Sequence, residues 1–314
     1  MNPSYIRYIT KKLSFPDEAT DFLVNASQKI AENAKAEILM RDVIETFEKT
    51  NYSYDGLFAR HDSIGACVGL RRCTVNMLML LQACDALEKK YSENGYSEEL
   101  FVDSMTDLRS KLIECKEVWD GWGTYSSWHP GFFWLTRFAL GRFQFEKREF
   151  TKNYTGIAGN FVKPGDTVLN IHIPSNGQSL SDEVRFDSYR RAREFFFPDA
   201  KGPIPFVCSS WLLWPEYEQC IPKSSNIMRF RHDFTIVDAK ADDGFSDGWR
   251  IFGAAAKKEV SEWPRDTSLR RAIAEFCRKR RQARIGLWRV LFRRREDNQI
   301  INGSGAGDCS AFSI

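Results

Sequence analysis

Within the 314-residue chain a few stretches carry side chains that could do chemistry. His172 lies in a β-branched run, Thr167 to Ile173, and is the best candidate for a base, because imidazole titrates near neutral pH. The run leads into Pro174-Ser175-Asn176-Gly177-Gln178-Ser179-Leu180-Ser181 and then a helix. Small and polar residues at such a turn can aim backbone N–H groups at an anion. Ser175, Asn176, Gly177, Ser179 and Ser181 are therefore candidate anion ligands. The plainer reading is an ordinary strand-to-helix turn in which Ser181 caps the helix. Cys208, near the end of the run Pro205 to Trp211, could be a nucleophile only beside a base that lowers its pKa; otherwise it is core. Asp103 and Asp107 share one helix face, where an ion-pair role competes with acid/base work. His232 begins a further run, whereas His61 and His129 have no supporting context.

Several chemistries are excluded. There is no P-loop, no HExxH and no strand-linked GxGxxG. The eight cysteines show no CxxC pairing and no metal-ligand rhythm, so reduced, buried thiols are expected and no metal site.

The elements that must position these residues fall into two kinds. Residues up to about 120 read as helical. Ala19, Phe22, Leu23, Ala26 and Ile30 repeat at helical spacing, as do Ile38, Leu39, Val43, Ile44 and Phe47. Val75 to Leu87 is apolar almost all round and predicts a buried helix that stops at Asn94-Gly95. Ser97 caps the next helix, which runs on towards Trp119. An aromatic cluster, Trp122 to Phe133, then reads as interdomain core. From Phe138 the period becomes two: Phe143 and Phe145 alternate with Arg142, Gln144 and Glu146, as in a half-buried strand. Strands are expected at 167–173, 205–211, 233–237 and 249–252, with helices at 181–197, near 214–220 and from Ser268. The fold class is α+β: a mainly helical N-terminal domain, 1–127, then a mixed α/β C-terminal domain, 128–277.

A hydrophobic fraction of 43% and a charged fraction of 28% describe a folded globular chain. No apolar run approaches a membrane span and no signal core follows Arg7, so the expectation is a cytoplasmic protein without a membrane partner. The net charge of +3 is unevenly placed. Residues 278–314 hold nine Lys/Arg against three Asp/Glu, which leaves the body slightly acidic.

Several blocks in order, "ELFVDSMTDLR" (99–109), "LGRFQFE" (140–146), "VLNIHIPSNGQSLSDEV" (168–184), "PFVCSSWLL" (205–213) and "WPRDTSLRRAIAEF" (263–276), resemble a bacterial family. Its members join an N-acyltransferase N-terminal domain to a GNAT-like C-terminal domain. The resemblance implies transfer of an acyl group from acetyl-CoA or another acyl-CoA to an amine of a small molecule or peptide. It implies CoA pyrophosphate at the 174–181 turn, pantetheine between the strands around Val168 and Phe206, His172 as base and Tyr217 as acid for the departing thiolate. The usual Gln/Arg-x-x-Gly-x-Gly/Ala signature is absent from that turn, so a degenerate GNAT-like binding module is the second reading. A nucleic-acid binder is the third and rests on the basic tail alone. In the resembling chains the end is a Gly-rich segment and a strand. A one-base shift turns CGG arginine codons into glycine codons, so 278–314 reads as a frameshifted end that would cost the C-terminal domain an edge strand.

Overall fold

The computed structural model describes residues 1–151, 162–239, 247–280 and 288–291. The helices of the first half are α1 (Pro3–Lys12), α2 (Asp17–Glu32), α3 (Ala34–Lys49), α4 (Leu57–Val68), α5 (Arg72–Glu93), α6 (Glu98–Met105), α7 (Asp107–Trp119) and the single turn α8 (Pro130–Phe133). Local chemistry sets their starts. Side-chain oxygens of Asn2, Asn33 and Ser97 accept from the exposed N–H groups of Tyr5, Ala36 and Leu100. The apolar run in α5 is buried on every side from Cys73 to Leu81, so this helix is the axis around which α1, α2, α3 and α4 pack. The helix expected from Ser97 to Trp119 is two helices. Thr106 returns its hydroxyl to the carbonyl of Val102, a bond that bends helices, and the chain turns there.

The second half contains β1 (Arg137–Leu140), β2 (Phe143–Glu149), β3 (Thr167–His172), α9 (Asp182–Phe196), β4 (Phe206–Ser209), α10 (Asn226–His232), β5 (Thr235–Ala239), α11 (Trp249–Phe252), α12 (Ser268–Arg280) and β6 (Trp288–Leu291). Short 3-10 turns cover Trp211–Leu213 and Pro215–Gln219, where a short helix was expected. The strands form one sheet in the order β1-β2-β3-β4-β6-β5, antiparallel except for β3 beside β4. Helix α9 is the crossover between those two parallel strands, as parallel pairing requires.

Two expected elements differ. Residues 249–252 form a helical turn, not a strand, since Arg250, Ile251 and Phe252 donate back to the carbonyls of Asp247 and Gly248. Phe252 then stacks on Trp263, centroids 4.2 Å apart. His232 closes α10 instead of opening a strand. Strand β6 falls inside the basic segment read as an atypical tail and occupies an interior place between β4 and β5. The remainder of that segment from 281 onward, on which the nucleic-acid reading and the frameshift rest, lies outside the described residues.

The apolar interior is continuous across both halves. Phe138 of β1 meets Tyr91 and Tyr96 of the helical half and Phe195 of α9, all at edge or tilted ring contacts. Ser104 on α6 accepts the β1 amide of Ala139 at 3.0 Å. The helical half thus meets the sheet on both faces: Tyr91 and Tyr96 reach Phe138 on the face covered by α9 and α10, where Phe143 stacks on Tyr189 and touches Phe230, and Asp107 of α7 reaches Gln144 on the other.

Candidate active site

Strand β2 carries the first surprise. Its polar residues do not face solvent: Gln144 and Glu146 are buried as fully as Phe143 and Phe145. Successive side chains of a strand point to opposite faces, so Gln144, Glu146 and Arg148 share the face on which Gln144 meets Asp107 of α7. The register places Gln144 opposite His172 and Glu146 opposite Asn170. Arg142, Gln144, Arg148, Asn170 and His172 line a cleft of about 860 Å³, and Glu146 is held by three of them. Its walls come from Asp107, Lys111 and Glu114 on α7, from Trp128, and from the chain leaving β3 and β4 at Ile173–Ser175 and Ser209–Leu212. Parallel pairing of β3 and β4 stops at Ile171 and Cys208, so the strands part where the cleft opens.

Glu146 is the hub. Its Oε1 accepts from Arg148 Nε at 2.7 Å and Asn170 Nδ2 at 3.0 Å, and its Oε2 accepts from Arg137 Nη2 at 2.8 Å. His172 Nε2 lies 2.9 Å from the same Oε1. Burial alone would raise the carboxyl pKa. The bond from His172, the Arg137 charge and Asn170 reverse that and hold it well below the usual carboxylate range. Asn170 Nδ2, a donor, also lies 3.0 Å from Nε2 and would favour a lone pair there, but it already donates to Glu146, and an ionised carboxylate only accepts, so the charged partner sets the hydrogen on Nε2. That tautomer leaves Nδ1 with its lone pair. Burial pushes His172 below its ordinary value; Glu146 pulls it up, and Arg137 and Arg148 push it down again, so the ring is neutral at pH 7. Trp128 fixes the ring plane edge-to-face, centroids 4.6 Å apart, and itself lies under the Arg137 guanidinium at 3.7 Å.

A second buried carboxylate stands beside this dyad. Asp107 Oδ1 accepts from Gln144 Nε2 at 2.8 Å, and Oδ2 lies 3.5 Å from His129 Nε2. Burial would raise Asp107, but the neighbouring His129 ring and the Lys111 charge bring it down to about 2. Asp103 is exposed and does not join it. His61 is buried against Met79, away from the cleft.

The other expected residues divide. Cys208 borders the cleft but pairs with Ile171, and so faces the α9 side of the sheet, opposite to His172. Burial pushes its thiol up, with no base among the described residues to activate it, which removes the chemistry a nucleophile needs. Tyr217 lies in the core, its hydroxyl buried without a hydrogen-bond partner among the described residues and outside the cleft lining. Burial and the neighbouring Cys220 and Cys277 push it up, so it is not placed to act as an acid. Of the five candidate anion ligands in the β3–α9 turn only Ser175 lines the cleft, and its hydroxyl donates to Glu114 Oε1 at 2.8 Å. Asn176 accepts from the Gln178 amide, and Ser179 accepts from the Ser181 amide and from Asn226. Gly177 has a left-handed φ of 74° in open space. Ser181 holds the cap position of α9 without a side-chain cap bond, and Asp182 and Glu183 already meet the positive helix end.

Residue reasoning reached His172 but not Glu146, Asn170, Arg137, Gln144 or Trp128. The available signal was the run of polar residues at alternate positions on β2, answered by Asn170 and His172 on the central strand. Among the described residues no group of His, Cys, Asp and Glu could hold a metal ion.

Two family models match this chain: the N-acyltransferase N-terminal domain over residues 5–141 and the GNAT-like C-terminal domain over residues 137–287. The chain belongs to the family that joins these two domains. Among solved structures it is similar to an acyltransferase in complex with decanoyl-CoA and teicoplanin, with TM-score 0.67 and 20% identity over 91% of this chain and 86% of that one. It is also similar to an acyltransferase mutant in complex with octanoyl-CoA, with TM-score 0.69 and 19% identity over 92% and 87%. At such identity the likeness establishes a shared fold across both halves. No curated protein matches the chain.

Proposed function

We propose that this protein transfers an acyl group from acyl-CoA to an amine, with His172 as the base. One observation carries the reading: a neutral imidazole, its tautomer fixed by the buried Glu146 carboxylate, stands where parallel strands part at the mouth of a large cleft. A thioester laid between the ends of β3 and β4 would present its carbonyl to an amine held at Nδ1. The amine nitrogen attacks the carbonyl carbon, His172 takes the amine proton, the C–S bond breaks, and the imidazolium returns the proton to the departing sulfur. This route needs no contribution from Tyr217 or Cys208. Membership of the acyltransferase family and a fold shared with acyl-CoA-bound structures support it.

The β3–α9 turn around Ser175, Asn176 and Gly177 is the proposed neighbour of the CoA phosphates, with Ser179 and Ser181 shaping it. Thermal unfolding with and without acetyl-CoA and longer acyl-CoAs tests the reading. Ligand at one hundred times its dissociation constant adds about 2.7 kcal/mol of stability, a readily measured shift in Tm. A shift abolished by Gly177→Val places CoA at the turn. Absence of a shift with every acyl-CoA favours a GNAT-like module that binds another ligand.

A further inference from the structure

Among the described residues the cations lining the cleft are matched with one exception. Arg148 and Arg137 hold Glu146, Lys111 holds Glu114 at 2.8 Å, and Arg250 holds Asp247 at 2.8 Å. Arg142 also lines the cleft and is 6% exposed, yet among the described residues no carboxylate pairs with it. Its Nη1 donates to the carbonyl of Pro174 at 3.0 Å, and its Nε is buried without a partner. Burial pulls its pKa down to about 10 with no acidic neighbour to offset it. A buried guanidinium is stable when a charge answers it, and its planar fork matches a carboxylate or phosphate.

Arg142 sits in the two-residue turn between β1 and β2, lines the cleft with Gln144 and His172, and reaches the Pro174 carbonyl at the start of the β3–α9 turn. Either anion could meet it there, and the two separate by which ligand loses affinity when the guanidinium is removed. The β2–β3 ladder ends with Gln144 opposite His172, and Arg142 lies two residues beyond it, a backbone offset of roughly 7 Å. An extended dipeptide spans about that length from amine to carboxylate, and a single amino acid does not.

We propose that Arg142 binds a carboxylate of the acceptor, so that the acceptor class is a peptide-like amine bearing an acidic group about two residues from the reacting nitrogen. The inference rests on the acyl-transfer reading for the role of His172, but the binding itself can be measured alone. Calorimetry of the full chain with alanylalanine and with alanylalanine amide is the test. The free carboxylate is expected to bind at least tenfold more tightly, and Arg142→Gln to bring the ratio near one, with Arg142→Lys intermediate. Cooperative unfolding of each variant shows that it is folded. Equal or undetectable binding of the two peptides overturns the proposal, as does a loss of acyl-CoA affinity in Arg142→Gln with the peptide ratio intact, which would assign the guanidinium to a CoA phosphate. Failure of the wild-type chain to bind any acyl-CoA overturns the acyl-transfer reading instead and leaves the peptide ratio to stand or fall by itself.

Discussion

His172 and Glu146 work as a unit, and their separate removal should read differently. His172→Gln keeps the volume and a donor but loses the base, and should cut turnover by about 10²- to 10⁴-fold while acyl-CoA affinity holds. In the wild-type chain the base is lost when His172 protonates, so activity should fall on the acid side, with the limb below the ordinary imidazole value of 6.5. Glu146 raises that pKa, so Glu146→Gln should move the limb to still lower pH as well as reduce the rate. A limb that stays in place in Glu146→Gln would deny the carboxylate its role. Asp107 makes a separate prediction about stability. Its folded pKa of about 2 lies below its ordinary 3.8, so its contribution is present above 3.8 and is lost as pH falls from there towards 2. The difference corresponds to about 2 kcal/mol. Urea unfolding across that range should show it, and Asp107→Asn should flatten the slope by that amount.

At the scale of elements, the helical spacings, the Ser97 cap and the period-two strand around Phe143 and Phe145 were legible, because burial of one face imposes a repeat on the sequence, whereas Ser181 holds its cap position without a cap bond. The meaning of the polar positions on β2 was not. Alternation looks the same whether the polar face meets water or a buried site, and only the packing of α7 across the sheet decides. The aromatic cluster illustrates the same limit. It reads as core, and Phe132 and Phe133 are core, yet Trp128 lies over His172. What holds Trp128 there is the loop after α7, tied to the start of α5. Thr124 donates to the Cys73 carbonyl at 2.9 Å, Thr74 donates to Trp122, and Asn76 donates to both Thr124 and Ser126. Gly123 makes this approach possible, for a Cβ there would sit 2.3 Å from the Cys73 backbone. Gly123→Ala should therefore push the loop off α5, at a cost on the order of 2 kcal/mol, and loosen Trp128. The checks are thermal unfolding and turnover at saturating acyl-CoA. A variant with wild-type stability and rate would show that the loop adapts without moving the indole.

For the whole molecule, the cleft exists because a helical half and a sheet share one interior, and the sheet depends on its last strand. β4, whose end forms a wall of the cleft, is bonded to β3 on one side and to β6 on the other. β5 reaches the sheet only through β6. A chain shortened to residue 287 would leave β4 as an open edge and β5 without a partner, so the far half of the sheet would lose its ladder. Such a chain should lose its cooperative thermal transition, or show a markedly lower Tm, and bind acyl-CoA more weakly. Val290→Pro removes one ladder N–H at the position paired with Cys208 and should reproduce the effect in the full-length chain. If both variants melted like the wild type, the basic segment would contribute nothing to the sheet, and the wall of the cleft would have to be held by β3 and the 3-10 turns after Ser210 alone. If both fail together, the arginine-rich end is part of the fold that shapes the site, however little its composition resembles a strand.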